Sequence, residues 1–272
     1  MNILYKQQPI GIFDSGIGGL TVANAINKLL PEESLIYFGD TAHLPYGDKS
    51  AHAIELYSKG IADFLLEKEC KMIVIACNTA SSIGYEVVKK YVGNRAIVVN
   101  VIDPVVEAVT KKIKSGKIGV IGTKATIKNG AYERKIKEMS KTIEVGSLAT
   151  PLLAPMVEEG FFNNKISRTI INSYLSRPKL KNINAIILAC THYPLIKEEI
   201  IEYYTNTLLV VDSAEIVAGH VKKLLSKYKL LNNKRKLPHH FFVSDYTKSF
   251  EKSTRIFFKG RLKLEYYPLW EK

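Results

Sequence analysis

The chain has 272 residues, 46% hydrophobic and 24% charged, a globular composition that excludes a disordered or fibrous protein. Three cysteines, Cys70, Cys77 and Cys190, are too few and too odd in number for a disulfide scaffold and point to thiols in a reducing cytoplasm. The formal charge of +13 raises a polyanion-binding reading, but no zinc-finger spacing or aromatic RNA-binding pattern accompanies the lysines, so they read as a solvated surface with no specific nucleic-acid partner.

Residues 1–8 lack the apolar core of a secretory signal, and no apolar run approaches the roughly 18–20 residues of a membrane span, so no membrane partner is expected. The first strand covers 9–13 and runs into the glycine-rich turn Asp14-Ser15-Gly16-Ile17-Gly18-Gly19-Leu20. Such a turn can hold a phosphate or carboxylate on backbone N–H groups. It lacks both the P-loop ending and the dinucleotide-binding spacing. A helix over 21–30 stops at Pro31. A strand over 34–38 leads to Gly39-Asp40-Thr41-Ala42-His43-Leu44-Pro45-Tyr46-Gly47, too aromatic for a mere spacer, with His43 read as a surface loop residue. The helix over 51–68 carries apolar Ile54, Tyr57, Ile61, Phe64 and Leu65 at helical spacing. Cys70, without polar company, reads as structural.

The run Met72-Ile73-Val74-Ile75 has the unbroken apolar character of a buried parallel strand. Ala76-Cys77-Asn78-Thr79 follows, then a helix opening at 80–88. This puts a thiol at the amino end of a helix, where N–H groups favour an anion and can lower a thiol pKa. Residues 95–101 form a strand, 105–113 a helix, 118–122 a strand and 127–139 a helix; the chain continues through Glu144-Val145 and residues 150–160 to a helix over 164–176. Ile186-Ile187-Leu188-Ala189-Cys190-Thr191-His192 then repeats the plan of the Cys77 region, with a second helix expected after it. The strand at Ile10 recurs 108 positions later at Ile118, and the Ala-Cys turn recurs 113 positions later (190 − 77). Two similar offsets in one order suggest two α/β halves of like topology, the alternative being chance similarity between α/β units. A strand over 208–213, a helix over 214–228, a lysine-rich link over 229–238, a strand over 240–243, a helix over 247–257 and a strand over 262–267 complete the chain. Alternating strands and helices call for mainly parallel sheets with binding at the strands' carboxyl ends.

Equivalent thiols on two packed halves would meet one ligand from opposite sides. This suits inversion of a carbon centre, one thiolate taking a proton while the other thiol delivers one. The two groups must start in different protonation states and titrate as a coupled pair. Other readings are a zinc site, for which Cys190-x-His192 is a fragment, a cysteine hydrolase using Cys190 and His192, and two buried structural cysteines.

The motifs around Asp14, Asp40, Cys77 and Cys190, with Gly122-Thr123-Lys124-Ala125-Thr126 and residues 151–160, resemble the glutamate racemase family over residues 8–260. The departures are Asn129, where the family often has serine, and the basic charge. The resemblance implies cofactor-independent, metal-free interconversion of L- and D-glutamate, supplying D-glutamate for peptidoglycan in the cytoplasm. It implies two pseudo-symmetric lobes with a cleft between them, residues 1–101 with 213–272, and residues 102–212, in a chain that commonly forms homodimers. Cys77 would act on the D-isomer and Cys190 on the L-isomer, assisted by Asp14 and His192, with Asp40 and Glu158 as further acidic residues. Asp14, Ser15, Tyr46, Gly47, Asn78, Thr79, Thr123, Thr126, Thr191 and His192 would hold the substrate. Aspartate racemase, with the same two-thiol logic, is the alternative enzyme.

Overall fold

The computed structural model describes residues 4–234, 237–260 and 262–271. The expected link over 229–238 is thus described except at 235–236, which lie outside these residues. Among these residues ten strands alternate with helices. They are β1 (Ile10–Asp14), β2 (Leu35–Gly39), β3 (Met72–Ile75), β4 (Ile97–Asn100), β5 (Gly116–Gly122), β6 (Ile143–Ala149), β7 (Ala185–Ala189), β8 (Leu209–Val211), β9 (His240–Val243) and β10 (Leu264–Tyr266).

Two sheets result, with orders β10-β9-β2-β1-β3-β4 and β6-β5-β7-β8. The block β2-β1-β3-β4 and the whole second sheet therefore share one order, with β1 matching β5 and β3 matching β7. Each pairing is parallel, from Ile10 opposite Leu35 and Met72 to Ile118 opposite Ala185. Parallel strands need crossover helices on their faces, which buries both faces. Accordingly β1, β2, β3 and β7 are buried along their whole length. A single cluster of buried side chains links β1 and β3 to β5 and β7, so the two sheets share a core.

Several helices depart from expectation. The segment over 127–139 is two helices, Lys124–Asn129 and Ala131–Met139, because Gly130 between them takes the left-handed conformation at φ +70°. After Cys77 the helix breaks at Gly84 into Asn78–Ile83 and Tyr85–Val92. After Cys190 no α-helix opens directly. Pro194 sits in a single 3₁₀ turn, Tyr193–Ile196, and the α-helix Lys197–Tyr203 begins only afterwards.

Candidate active site

Because all strands within each sheet run parallel, their carboxyl ends form a common rim, and the unusual turns gather there. Cys77 lies two residues past β3 and Cys190 one residue past β7, at equivalent places in the repeated order. Both thiols are buried and both line one cavity of about 230 Å³. That is the liquid volume of about eight water molecules, enough for one small amino acid. Ser15, Tyr46, Gly47, Asn78, Thr79, Thr123, Glu158, Thr191 and His192 also line it. Asp14, Asp40 and Thr126 lie behind that wall.

Around Cys77 the sulfur accepts the Ala80 N–H at 3.4 Å and lies 3.8 Å from Ser15 Oγ. The helix that follows is only six residues long. The expected lowering of this thiol's pKa is not found. Burial first, and then the Asp14 carboxylate, push Cys77 up to about 12, against the Ala80 and Ser15 hydrogen bonds. Asp14 is wholly buried at the end of β1, its Oδ2 accepting the Gly19 N–H at 2.8 Å. Its Oδ1 has no hydrogen-bond partner among the described residues. Burial raises its pKa, opposed by the attraction of His192 and by backbone N–H groups of the glycine-rich turn.

Around Cys190 the neighbour is an imidazole: His192 Nδ1 stands 3.6 Å from the sulfur. His192 Nε2 is 2.8 Å from Glu158 Oε1, off the line of a good hydrogen bond, so this contact is an ion pair. Burial alone would lower the His192 pKa. The close contacts with Cys190 and Glu158 and the charges of both outweigh it and carry the imidazole well above its ordinary value. Glu158, at the end of the helix Leu153–Glu158, is thus the acidic residue of 151–160 that reaches the site. Phe257 closes over the imidazole edge-on at 5.4 Å.

Glycines allow these turns to meet. A Cβ on Gly18 would stand 2.5 Å from His192 Cε1, and one on Gly47 would stand 2.8 Å from Thr123 Cβ. The glycine-rich turn therefore lets the first sheet approach the Cys190 side, where Thr21 also donates to the Thr191 carbonyl at 3.2 Å. The hydroxyls of Thr79, Thr123 and Thr126 lie 2.9 to 3.1 Å from one another and join the two thiol-bearing halves.

Asp40 is placed differently from a group that meets a substrate. It is buried and accepts from Tyr46, Ser244 and Trp270, with His43 Nδ1 at 3.0 Å. His43 is likewise not simply a surface loop residue, since it stacks on Tyr57 at 3.9 Å. Sequence reading missed Ser244 and Trp270, which come from the far end of the chain. It also missed Tyr132, whose hydroxyl donates to Asn78 Oδ1 at 2.6 Å. This bond leaves Asn78 Nδ2 buried and unpartnered among the described residues, with Asn78 on the cavity wall.

A parallel α/β pair of sheets that places a thiol from each on one amino-acid-sized cavity suits an enzyme that moves a proton at a carbon held between the two sulfurs. A family-wide sequence model described as Asp/Glu/Hydantoin racemase matches residues 12–221, and the chain belongs to that family. Within it, the chain is 43% identical over 251 residues to the glutamate racemase of Chlorobaculum parvum, covering 92% of each protein. A solved structure of glutamate racemase from Francisella tularensis in complex with D-glutamate superposes with a TM-score of 0.92 at 37% identity, covering 98% of this chain and 100% of that one. The aspartate racemase of Picrophilus torridus, at 20% identity and a TM-score of 0.58, shares the fold alone.

Proposed function

We propose that this chain interconverts L- and D-glutamate by passing protons across the α-carbon between Cys190 and Cys77. The observation that carries the reading is the placement of two thiols, from equivalent strand ends, on one cavity the size of an amino acid. In the L-to-D direction the Cys190 thiolate takes the α-proton, and the electron pair of that C–H bond stays on the α-carbon. Cys77 then delivers its S–H proton to the opposite face, and the thiol and thiolate have exchanged places. The return reaction uses the same groups in reverse.

The surroundings fit this division. Cys77, held protonated by burial and by Asp14, is the acid at the start of the L-to-D turnover. Cys190 is the sulfur with a cationic neighbour, His192, which Glu158 keeps protonated. Asp14, beside Cys77 and with a raised pKa of its own, is the group with which that thiol can exchange a proton. The unpartnered Nδ2 of Asn78 and the hydroxyls of Ser15, Thr79, Thr123 and Thr191 would hold the two carboxylates and stabilise charge building at the α-carbon.

In this reading residues 1–101 with 213–272 form one lobe and residues 102–212 the other, and the substrate sits between them. The D-glutamate would serve peptidoglycan synthesis in the cytoplasm, from a homodimer. The names of the relatives favour glutamate over aspartate, and polarimetry with each isomer of both amino acids, without added cofactor, tests that choice. Cys77→Ala and Cys190→Ala should each reduce racemisation by at least about 10³-fold while circular dichroism stays native. In deuterated water, Cys77→Ala should retain α-proton exchange on L-glutamate only and Cys190→Ala on D-glutamate only. Normal racemisation by either variant would overturn the two-thiol mechanism.

A further inference from the structure

The last residues of the chain return to the catalytic rim. Strand β10 is parallel to its neighbour, so its carboxyl end points to the same edge as the turns after β1, β2 and β3. Four residues beyond it stands Trp270, the sole tryptophan of the chain. Its indole Nε1 donates to Asp40 Oδ1 at 2.7 Å, across 230 residues of sequence. The other oxygen of that carboxylate, Oδ2, accepts the Tyr46 hydroxyl at 2.6 Å, and Tyr46 with Gly47 lines the cavity.

The seat of the indole is built for a ring. Trp270 meets His43 edge-on at 5.0 Å and Tyr57 at 5.5 Å, while Tyr57 packs against Tyr46 at 5.7 Å. Gly60, three residues on from Tyr57 in the helix Ala51–Glu67, leaves the indole its room, since a Cβ there would stand 2.8 Å from it. A buried carboxylate binds its donors through short, charge-assisted hydrogen bonds, so fixing one oxygen orients the other. Ser244 Oγ also donates to Oδ1 at 2.7 Å and His43 Nδ1 stands 3.0 to 3.1 Å from the two oxygens, so removing the indole N–H deletes one of the groups that fix this carboxylate and leaves Tyr46 less firmly held, without touching either thiol.

We propose that the C-terminal segment latches the substrate wall, with Trp270 acting through Asp40 as a positioning residue for Tyr46 and Gly47. The inference rests on the glutamate reading above for the identity of the ligand. Trp270→Phe keeps a ring in the seat and deletes the donor. It should raise KM for glutamate about tenfold, equal to about 1.4 kcal/mol, and leave kcat within about threefold. Emission from the single tryptophan should shift saturably when the parent protein is titrated with D-glutamate, and Tyr46→Phe should abolish the shift while circular dichroism stays native. Should Trp270→Phe prove too unstable to assay, the emission titration decides. A parent protein that leaves glutamate unchanged overturns the functional reading and this inference with it. A parent that racemises glutamate, while Trp270→Phe keeps the parental KM or the emission stays flat at saturating glutamate, overturns the latch alone.

Discussion

Cys77 and Cys190 are the same residue type after equivalent strands, yet their neighbours differ in charge. Cys77 has a carboxylate beside it and Cys190 an imidazole. A proton relay needs that asymmetry, because two thiols in identical surroundings would share no defined starting state. The Cys77 environment also has a consequence for stability. A group whose pKa is higher in the folded than in the unfolded chain contributes stability that is fully present below its unfolded value and is lost as pH rises through its folded value. For Cys77 that window runs from 9.0 to about 12. Urea unfolding between pH 8 and 11 should therefore show a decline in stability that is shallower in Cys77→Ala, by up to about 1.4 kcal/mol per pH unit. Parallel curves for the two proteins would mean that the thiol is not held protonated by the fold.

At the scale of elements, the glycine-rich turn after β1 works by what it lacks. Its N–H groups turn inward, Gly19 donating to Asp14, and Gly18 leaves room for His192. Gly18→Ala should push the imidazole off both Cys190 and Glu158 and reduce kcat/KM by about 10² or more, with a smaller effect on the melting temperature. Full activity in Gly18→Ala would show that the turn yields without moving His192. A different glycine, Gly130, merely divides two helices by its positive φ, and the thiols do not depend on it.

Across the whole molecule, ion pairs differ greatly in what they hold. Lys124 and Asp48 meet at 3.1 Å near the cavity mouth but are each more than half exposed, so the pair contributes about 1 kcal/mol or less. Lys71 and Glu33, 2.6 Å apart, are both buried at the opposite end of the six-stranded sheet from the thiols. The Lys71 ammonium also donates to the carbonyls of Lys6 and Leu230, and Glu33 accepts the Asn232 N–H. Burial lowers the Lys71 pKa, and Glu33 opposes that shift. This clasp fastens the start of the chain and the segment near 230 to the base of the sheet. Lys71→Met should cost about 3–5 kcal/mol, since it strands the Glu33 charge in the interior. Measured by denaturant unfolding, a loss below about 1 kcal/mol would show that the clasp is dispensable.

Local chemistry was enough to reveal most strands, the repeat and the pair of thiols, because unbroken β-branched runs and an Ala-Cys turn that recurs at an offset similar to that of the first strand are properties of neighbouring residues. Most residues of the cavity wall were named through the family resemblance, whose motifs lie at strand ends, and not from local chemistry alone. What adjacency could not convey was the environment each group acquires. Only folding brings Asp14 to Cys77, draws Asp40 back from the cavity into a cluster completed by Ser244 and Trp270, and leaves one donor of Asn78 open by satisfying its oxygen with Tyr132. The pKa of Cys77 followed suit: its position before a helix argued for a lower value, and desolvation, which depends on everything packed around the sulfur, decided for a higher one.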